Sequence, residues 1–158
     1  MTRNELNAIL ADHLKWYRVE TGGRRADLRS ANLSGANLSG ANLRSAILPH
    51  TQVCPEEGEF IGWKKLRDGL ICKLAIGHNC ERVSPIVGRK CRADAALVLC
   101  IEAPDGTDRS EGMSIHEEYF MYRVGETVQA DVYDPSPLVE CSGGIHFYIS
   151  RREAEEYV

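Results

Sequence analysis

The segment RVSPIVGRKCR, residues 82–92, gathers Arg82, Arg89, Lys90 and Arg92 around Ser84 and Gly88. Guanidinium forks pair with phosphate oxygens two at a time, and a glycine lets backbone amides approach an anion closely, so this stretch is a candidate phosphate cradle. The competing reading is a solvated basic loop neutralised by acidic residues further along the chain. No Gly-rich loop leads into a lysine of the Walker kind, which excludes a P-loop. A second candidate is His146, which shares the segment CSGGIHFYIS with Cys141 and Ser142. In that segment Ile145, Phe147 and Ile149 alternate with His146 and Tyr148, so the histidine lies on the face opposite the apolar residues. There it can act as acid, base or ligand, or serve structure alone. A third is Trp63, followed by Lys64 and Lys65, an aromatic and basic platform suited to a base or nucleotide, or a tryptophan simply buried in a first strand. The ligand-binding candidates are therefore Arg82, Ser84, Arg89, Lys90, Arg92, His146 and Trp63, and no catalytic residue is assigned.

Other constellations carry less. His116, Glu117 and Glu118 lack the second histidine of a zincin, and Cys72, His78 and Cys80 match no compact zinc spacing. Six cysteines without a CxxC pair or a framework spacing read as reduced thiols. No metal and no cofactor is expected.

The elements that must position these groups follow from periodicity. Leu6, Ile9, Leu10, His13, Leu14 and Tyr17 recur at spacings of three and four, the stripe of an amphipathic helix, with Gly22 or Gly23 as its stop. From Ala26 the chain repeats every five residues as ADLRS, ANLSG, ANLSG, ANLRS and a degenerate AILPH. That period fits neither helix nor simple strand. From Cys54 onward short β-branched and aromatic runs are broken by Gly, Pro and Asp, with strands expected at 60–63, 70–76, 95–102, 119–124, 127–133 and 144–149. Residues 103–108, APDGTD, read as a turn, and Ser150 with Glu153 has the spacing of a capping box that starts a terminal helix.

The five-residue unit resembles the A(D/N)LXX pattern of the pentapeptide-repeat family. That resemblance implies a right-handed, four-sided β-solenoid with Leu28, Leu33, Leu38, Leu43 and Leu48 pointing inward beside Ala26, Ala31, Ala36, Ala41 and Ala46. Five repeats make little more than one coil, whose ends need covers: the helix for one, the downstream domain for the other. The strings CPEEGEFIGWKK, GRKCRA, YRVGETV and ECSGGIHF followed by SRREAEEY resemble an uncharacterised domain that follows pentapeptide repeats in bacterial and phage proteins. GIHFYISRREAEEY also resembles the glycine, aromatic strand and helix of ADP-ribosyltransferase-like folds, although no acidic catalytic residue falls in register. The expected architecture is mostly β within an α+β class: a capping helix over 1–24, repeats over 25–50 and a β-rich domain over 54–158.

Charge narrows the partners. The net charge of −4 divides into +3 over residues 1–50, +2 over 51–100 and −9 over 101–158. An acidic last third argues against wrapping nucleic acid along the whole molecule. The repeats themselves, with Arg24, Arg25, Arg29 and Arg44 against Asp27, are too basic to imitate a DNA duplex. No apolar run reaches membrane-spanning length and no secretory leader opens the chain, so a cytoplasmic location is expected. The leading functional expectation is a non-enzymatic interaction protein, a phage or mobile-element accessory factor that modulates or inhibits a host factor. The alternatives are a pocket for a phosphorylated ligand or nucleotide, sequestering or ADP-ribosyltransferase-like, and a structural homo-oligomer. The partner is accordingly a host protein or a small phosphorylated ligand.

Overall fold

Thr2 starts the first helix: its hydroxyl accepts from the Glu5 backbone N–H while the Glu5 carboxylate accepts from the Thr2 N–H, a reciprocal capping box. The computed structural model describes residues 2–29, 31, 33, 38, 40–48 and 53–158. Helix α1 runs over Arg3–Tyr17 and stops before the glycines expected to end it. Val19 takes the left-handed conformation instead (φ 59°), a strained choice for a β-branched residue, and Gly22 follows with φ 78°. Gly23 is needed for a different reason. A Cβ there would sit 2.2 Å from the Trp16 backbone nitrogen, so only glycine lets the exit strand lie against the helix.

One residue pins that helix to the repeats. His13 is fully buried; its Nδ1 accepts from the Ala26 N–H at 3.2 Å and its Nε2 donates to the Arg44 carbonyl at 3.1 Å, which fixes the tautomer. Leu28, Leu33 and Leu43 are buried with Leu6 and Ala26, and Leu38 and Leu48 pack partly buried against them. Ala36 and the end of the fifth repeat, Pro49 and His50, lie outside the described residues. Asp27 and Ile47, the same position of the first and fifth repeats, form a parallel bridge, and the Leu28 N–H donates to the Ile47 carbonyl at 2.7 Å. Ala31, Ala41 and Ala46 each donate back to the leucine three residues earlier, so a turn recurs with the repeat.

The rest of the chain is antiparallel β structure. Strands β1 (Phe60–Lys65), β2 (Ile71–Ile76), β5 (Ala95–Glu102) and β6 (Asp108–Arg109) line up in that order, and β9 (Thr127–Gln129) pairs with β5 as well. A smaller sheet orders β10 (Ile145–Phe147), β4 (Cys91–Ala93) and β3 (Arg82–Val83), and β7 (Glu111–Met113) forms a hairpin with β8 (Met121–Arg123). The two larger sheets touch where Trp63 and Tyr148 exchange backbone hydrogen bonds at 2.7 Å. Between them lies the core of Leu66, Cys72, Leu74, Ile76, Cys91, Val98, Ile101, Tyr122 and Phe147. Helix α2 (Arg151–Glu155) closes the chain with Ser150 and Glu153 as its capping box. The fold is thus mostly β, with a helix near each end. Among the described residues no helix is long and apolar enough to cross a membrane.

The strands expected from the β-branched and aromatic runs lie where those runs placed them, with β1 extending to Lys65 and shorter bounds for β8, β9 and β10. Strands β3, β4, β6 and β7, of two or three residues each, are too short to show a period.

Candidate functional site

Strand β1 reads FIGWKK, and its inward face holds Phe60, Gly62 and Lys64 at a spacing of two. Phe60 stacks at a tilt on Phe147, and a Cβ on Gly62 would lie 2.8 Å from the same ring. The third inward residue is a lysine. Its side chain enters a cavity of about 400 Å³ that opens between β1, β10, the β7–β8 hairpin and the segments around residues 131 and 141. Lys65 and Lys90 also line it, together with the rings of Phe120, Tyr122, Tyr148 and Tyr157, the imidazoles of His116 and His146, and the carboxylates of Glu117 and Asp131. Size and lining match those of small-molecule sites, mostly apolar walls with a few convergent polar groups.

The three lysines are held differently. Lys65 is committed to structure: its ammonium donates to the carbonyls of Glu155 (3.0 Å) and Tyr157 (2.7 Å), capping the end of α2. Lys90 lies over the Tyr157 ring, 4.7 Å from its centroid, and reaches the phenol oxygen at 3.3 Å. Burial opposes its charge, but hydrogen bonds to Tyr157 and Cys141 outweigh that and leave its pKa raised. Lys64 meets the His146 carbonyl at 3.3 Å and the Tyr122 ring at 5.6 Å. Burial, helped by the neighbouring charge of Lys90, brings its pKa down to about 8 against the pull of Cys72 and Glu117. Among the described residues neither Lys64 nor Lys90 has a carboxylate within ion-pair distance.

His146 faces the same cations. Burial first, then Lys64, Lys90 and Arg92, push its imidazole down to about 3, so the ring is neutral at physiological pH. Its Nε2 is buried and has no hydrogen-bond partner. An orphaned buried ring nitrogen beside two cations is a polar group waiting for a partner. At the far wall His116 and Tyr157 share a 2.8 Å hydrogen bond, and burial raises the phenols of Tyr122 and Tyr148.

Of the seven binding candidates read from sequence, the structure brings Lys90 and His146 to the cavity and sends the other five elsewhere. Arg82 spends its guanidinium on the carbonyls of Gly58, Gly77 and Cys80 and stacks over Phe60. Ser84 is buried, accepting from the N–H groups of Val53 (2.9 Å) and Cys54 (3.0 Å) and bridging the thiols of Cys54 and Cys91. Arg89 pairs with Glu153 on the outside of α2. Arg92 is fully buried and donates to four backbone carbonyls, those of Val139, Glu140, Asp134 and Ser136. Trp63 points away from Lys64 and carries Lys73 and Arg151 over its faces. The expected cradle is therefore divided: within residues 82–92 the arginines bind chain and only Lys90 faces the cavity. Cys72 is buried in the core and His78 is exposed, and among the described residues no group of three or more His, Cys, Asp or Glu is placed to hold a metal.

Sequence reasoning missed the aromatic and hairpin walls, which come from residues 114–122, Tyr148 and Tyr157, far apart in the chain. The detectable signal was Lys64 itself, a charged residue at an inward position of a strand, where local pattern and burial conflict.

Fold and site together define a repeat-bearing protein whose antiparallel domain holds a cationic, aromatic cavity. Family comparisons divide the chain at the same place. Residues 24–54 match the pentapeptide repeats (8 copies), and residues 50–154 match a family of unknown function, DUF5758; the chain belongs to that family and carries the repeats in front of it. No curated protein and no solved structure matches it.

Proposed function

We propose that the β domain is a non-enzymatic binding module whose cavity takes up a small anionic ligand, a phosphorylated or carboxylated molecule with a planar portion. The observation that carries this is the pair Lys64 and Lys90: two ammonium groups close enough to repel, in a cavity, without a partnering carboxylate. An ammonium removed from water costs several kcal/mol unless compensated, and an anion bound between them supplies the compensation. Tyr148 and Tyr157, 5.9 Å apart, offer flat apolar surface beside those charges. On this reading the helix and the repeats, which we take as about one coil of a solenoid, are scaffold.

The test is calorimetric titration with inorganic phosphate and with pyridoxine 5′-phosphate, which joins a phosphate ester to a small ring. Binding weakened at least tenfold by Lys64→Met and by Lys90→Met, and unchanged by Arg89→Met, is the expected pattern. Equal binding by all three variants, or none by the parent protein, would reject the pocket.

A further inference from the structure

Lys64 differs from the lysines around it in having nothing built to hold its charge. Next to it in sequence, Lys65 has two carbonyls at the end of α2, and Lys90 has a phenol and an aromatic face. Lys64 has one long contact to a backbone carbonyl at 3.3 Å and a ring at 5.6 Å, yet it stands in the wall of a cavity large enough for a small molecule. The position of Lys90 on the same cavity provides a second cation that can hold an anionic group while leaving the Lys64 nitrogen free for something else.

We propose that Lys64 captures an anionic carbonyl compound, a phosphorylated or carboxylated aldehyde or ketone, as a reversible imine, with Lys90 holding the anionic group. The proposal rests on the anion-pocket reading given above and adds the chemistry of its ligand. In the reaction the ammonium of Lys64 first releases a proton, and the nitrogen lone pair adds to the carbonyl carbon. The carbonyl π pair moves to oxygen, which takes a proton from the now cationic nitrogen to give a neutral carbinolamine. That oxygen then leaves as water with the released proton, and the C=N bond forms as a protonated imine. One amine and one carbonyl yield one imine and one water, and nothing is oxidised or reduced. The low pKa supports the step, since about a tenth of Lys64 is free amine at neutral pH, far more than for a lysine in water. On this proposal Glu117, which lines the cavity and acts on Lys64 electrostatically, exchanges the proton. His146 is neutral there and leaves the nitrogen uncontested by a second acid.

The experiment uses the whole chain with equimolar pyridoxal 5′-phosphate, reduction by borohydride, and peptide mapping by mass spectrometry, with pyridoxine 5′-phosphate titrated in parallel. The second compound keeps the phosphate and the ring and lacks the carbonyl. The expected result is a reduced adduct on Lys64 at least ten times more abundant than on any other lysine, lost in Lys64→Met and in Lys64→Arg, and competed away by pyridoxine 5′-phosphate. If the non-carbonyl compound binds but Lys64 is labelled no more than the surface lysines, the imine is overturned and the pocket stands. If neither compound binds, the pocket reading falls with it.

Discussion

Replacing Lys64 by methionine keeps the length of the side chain and removes its charge. Because burial brings the folded pKa to about 8 from 10.5, holding the proton at pH 7 costs the folded state about 3 kcal/mol, at 1.36 kcal/mol per pKa unit. Against this, methionine gives up the 3.3 Å hydrogen bond to the His146 carbonyl and the cation–π contact with Tyr122, together about 1 kcal/mol. The variant is therefore expected to be about 2 kcal/mol more stable than the parent at pH 7, a rise of about 1 M in the urea midpoint. The pH dependence carries the sign. Between pH 8 and 10.5 the unfolded chain still holds a proton that folded Lys64 has released, so the stability of the parent rises with pH through that window and the advantage of methionine disappears by its upper end. Burial sets this window, with Cys72, Glu117 and Lys90 as the titratable groups that act on the amine; Tyr122 and His146, which also contact it, are uncharged across that range. Urea unfolding of both proteins at pH 7 and pH 10, followed by far-ultraviolet circular dichroism, measures the difference. A variant less stable than the parent at pH 7 would refute the reasoning, because it would mean that Lys64 is held by attraction and is a structural cation.

Three further expectations test the rest of the site. Arg92→Lys supplies one three-donor ammonium where four carbonyls were bound by a fork, so at least one charge-assisted hydrogen bond is lost and the fork geometry with it; a destabilisation of about 2–4 kcal/mol by urea unfolding is expected, and an unchanged midpoint would return Arg92 to the ligand candidates. His146 folds neutral with its pKa near 3, whereas the unfolded imidazole takes a proton below about 6.5, so stability falls as pH drops through that window, by about 3 kcal/mol after discounting for solvent screening. His146→Gln should flatten that acid limb, measured as the midpoint difference between pH 7 and pH 4. Ser84→Ala leaves the N–H groups of Val53 and Cys54 without their acceptor and should cost about 2–3 kcal/mol in thermal unfolding; a neutral result would mean that water or a thiol replaces the hydroxyl.

How far the sequence could be read depends on the range of the forces involved. The helix stripe of Leu6, Leu10 and His13, the capping box of Ser150 and Glu153 and the alternation of β10 are local patterns, and the chain adopts them. The partners of the arginines are not local. Arg92 reads as a surface cation beside Gly88 and Arg89, but its carbonyl acceptors lie more than forty residues downstream, in an irregular segment that no period marks. Arg82 is a mixed case: Gly58 lies 24 residues upstream, but its other two acceptors, Gly77 and Cys80, are only five and two residues away. A guanidinium satisfies a cluster of buried carbonyls as well as it binds phosphate, because both present oxygen acceptors. Residue type alone therefore cannot separate the two uses, and only placement does. An inward lysine such as Lys64 is more telling, because a compact, strongly hydrated charge is rarely buried without a partner.

The segment between β3 and β4 gives the repeats a reason to sit against this domain. Ser84 joins it to the chain entering from the repeats through Val53 and Cys54. Ile86 is buried in the same cluster as Leu6, Leu28, Leu33 and Leu43, with Val87 packed beside it, so this loop belongs to the core of the helix and repeats. Four residues later Lys90 faces the cavity, and Arg92 fastens the 134–140 segment that leads into its Cys141 and Gly143 wall. A short repeat stack buries few leucines, and Ile86 adds an apolar side chain from outside the stack, worth about 2 kcal/mol when removed from water. The same insertion anchors one end of the stretch that carries Lys90. An ammonium held near another against their repulsion needs a rigid support, because a flexible loop would swing it into water and lose the binding site. On the proposed reading of the cavity, the helix and the repeats act as its support, because Ile86, buried among their leucines, anchors the segment that carries Lys90.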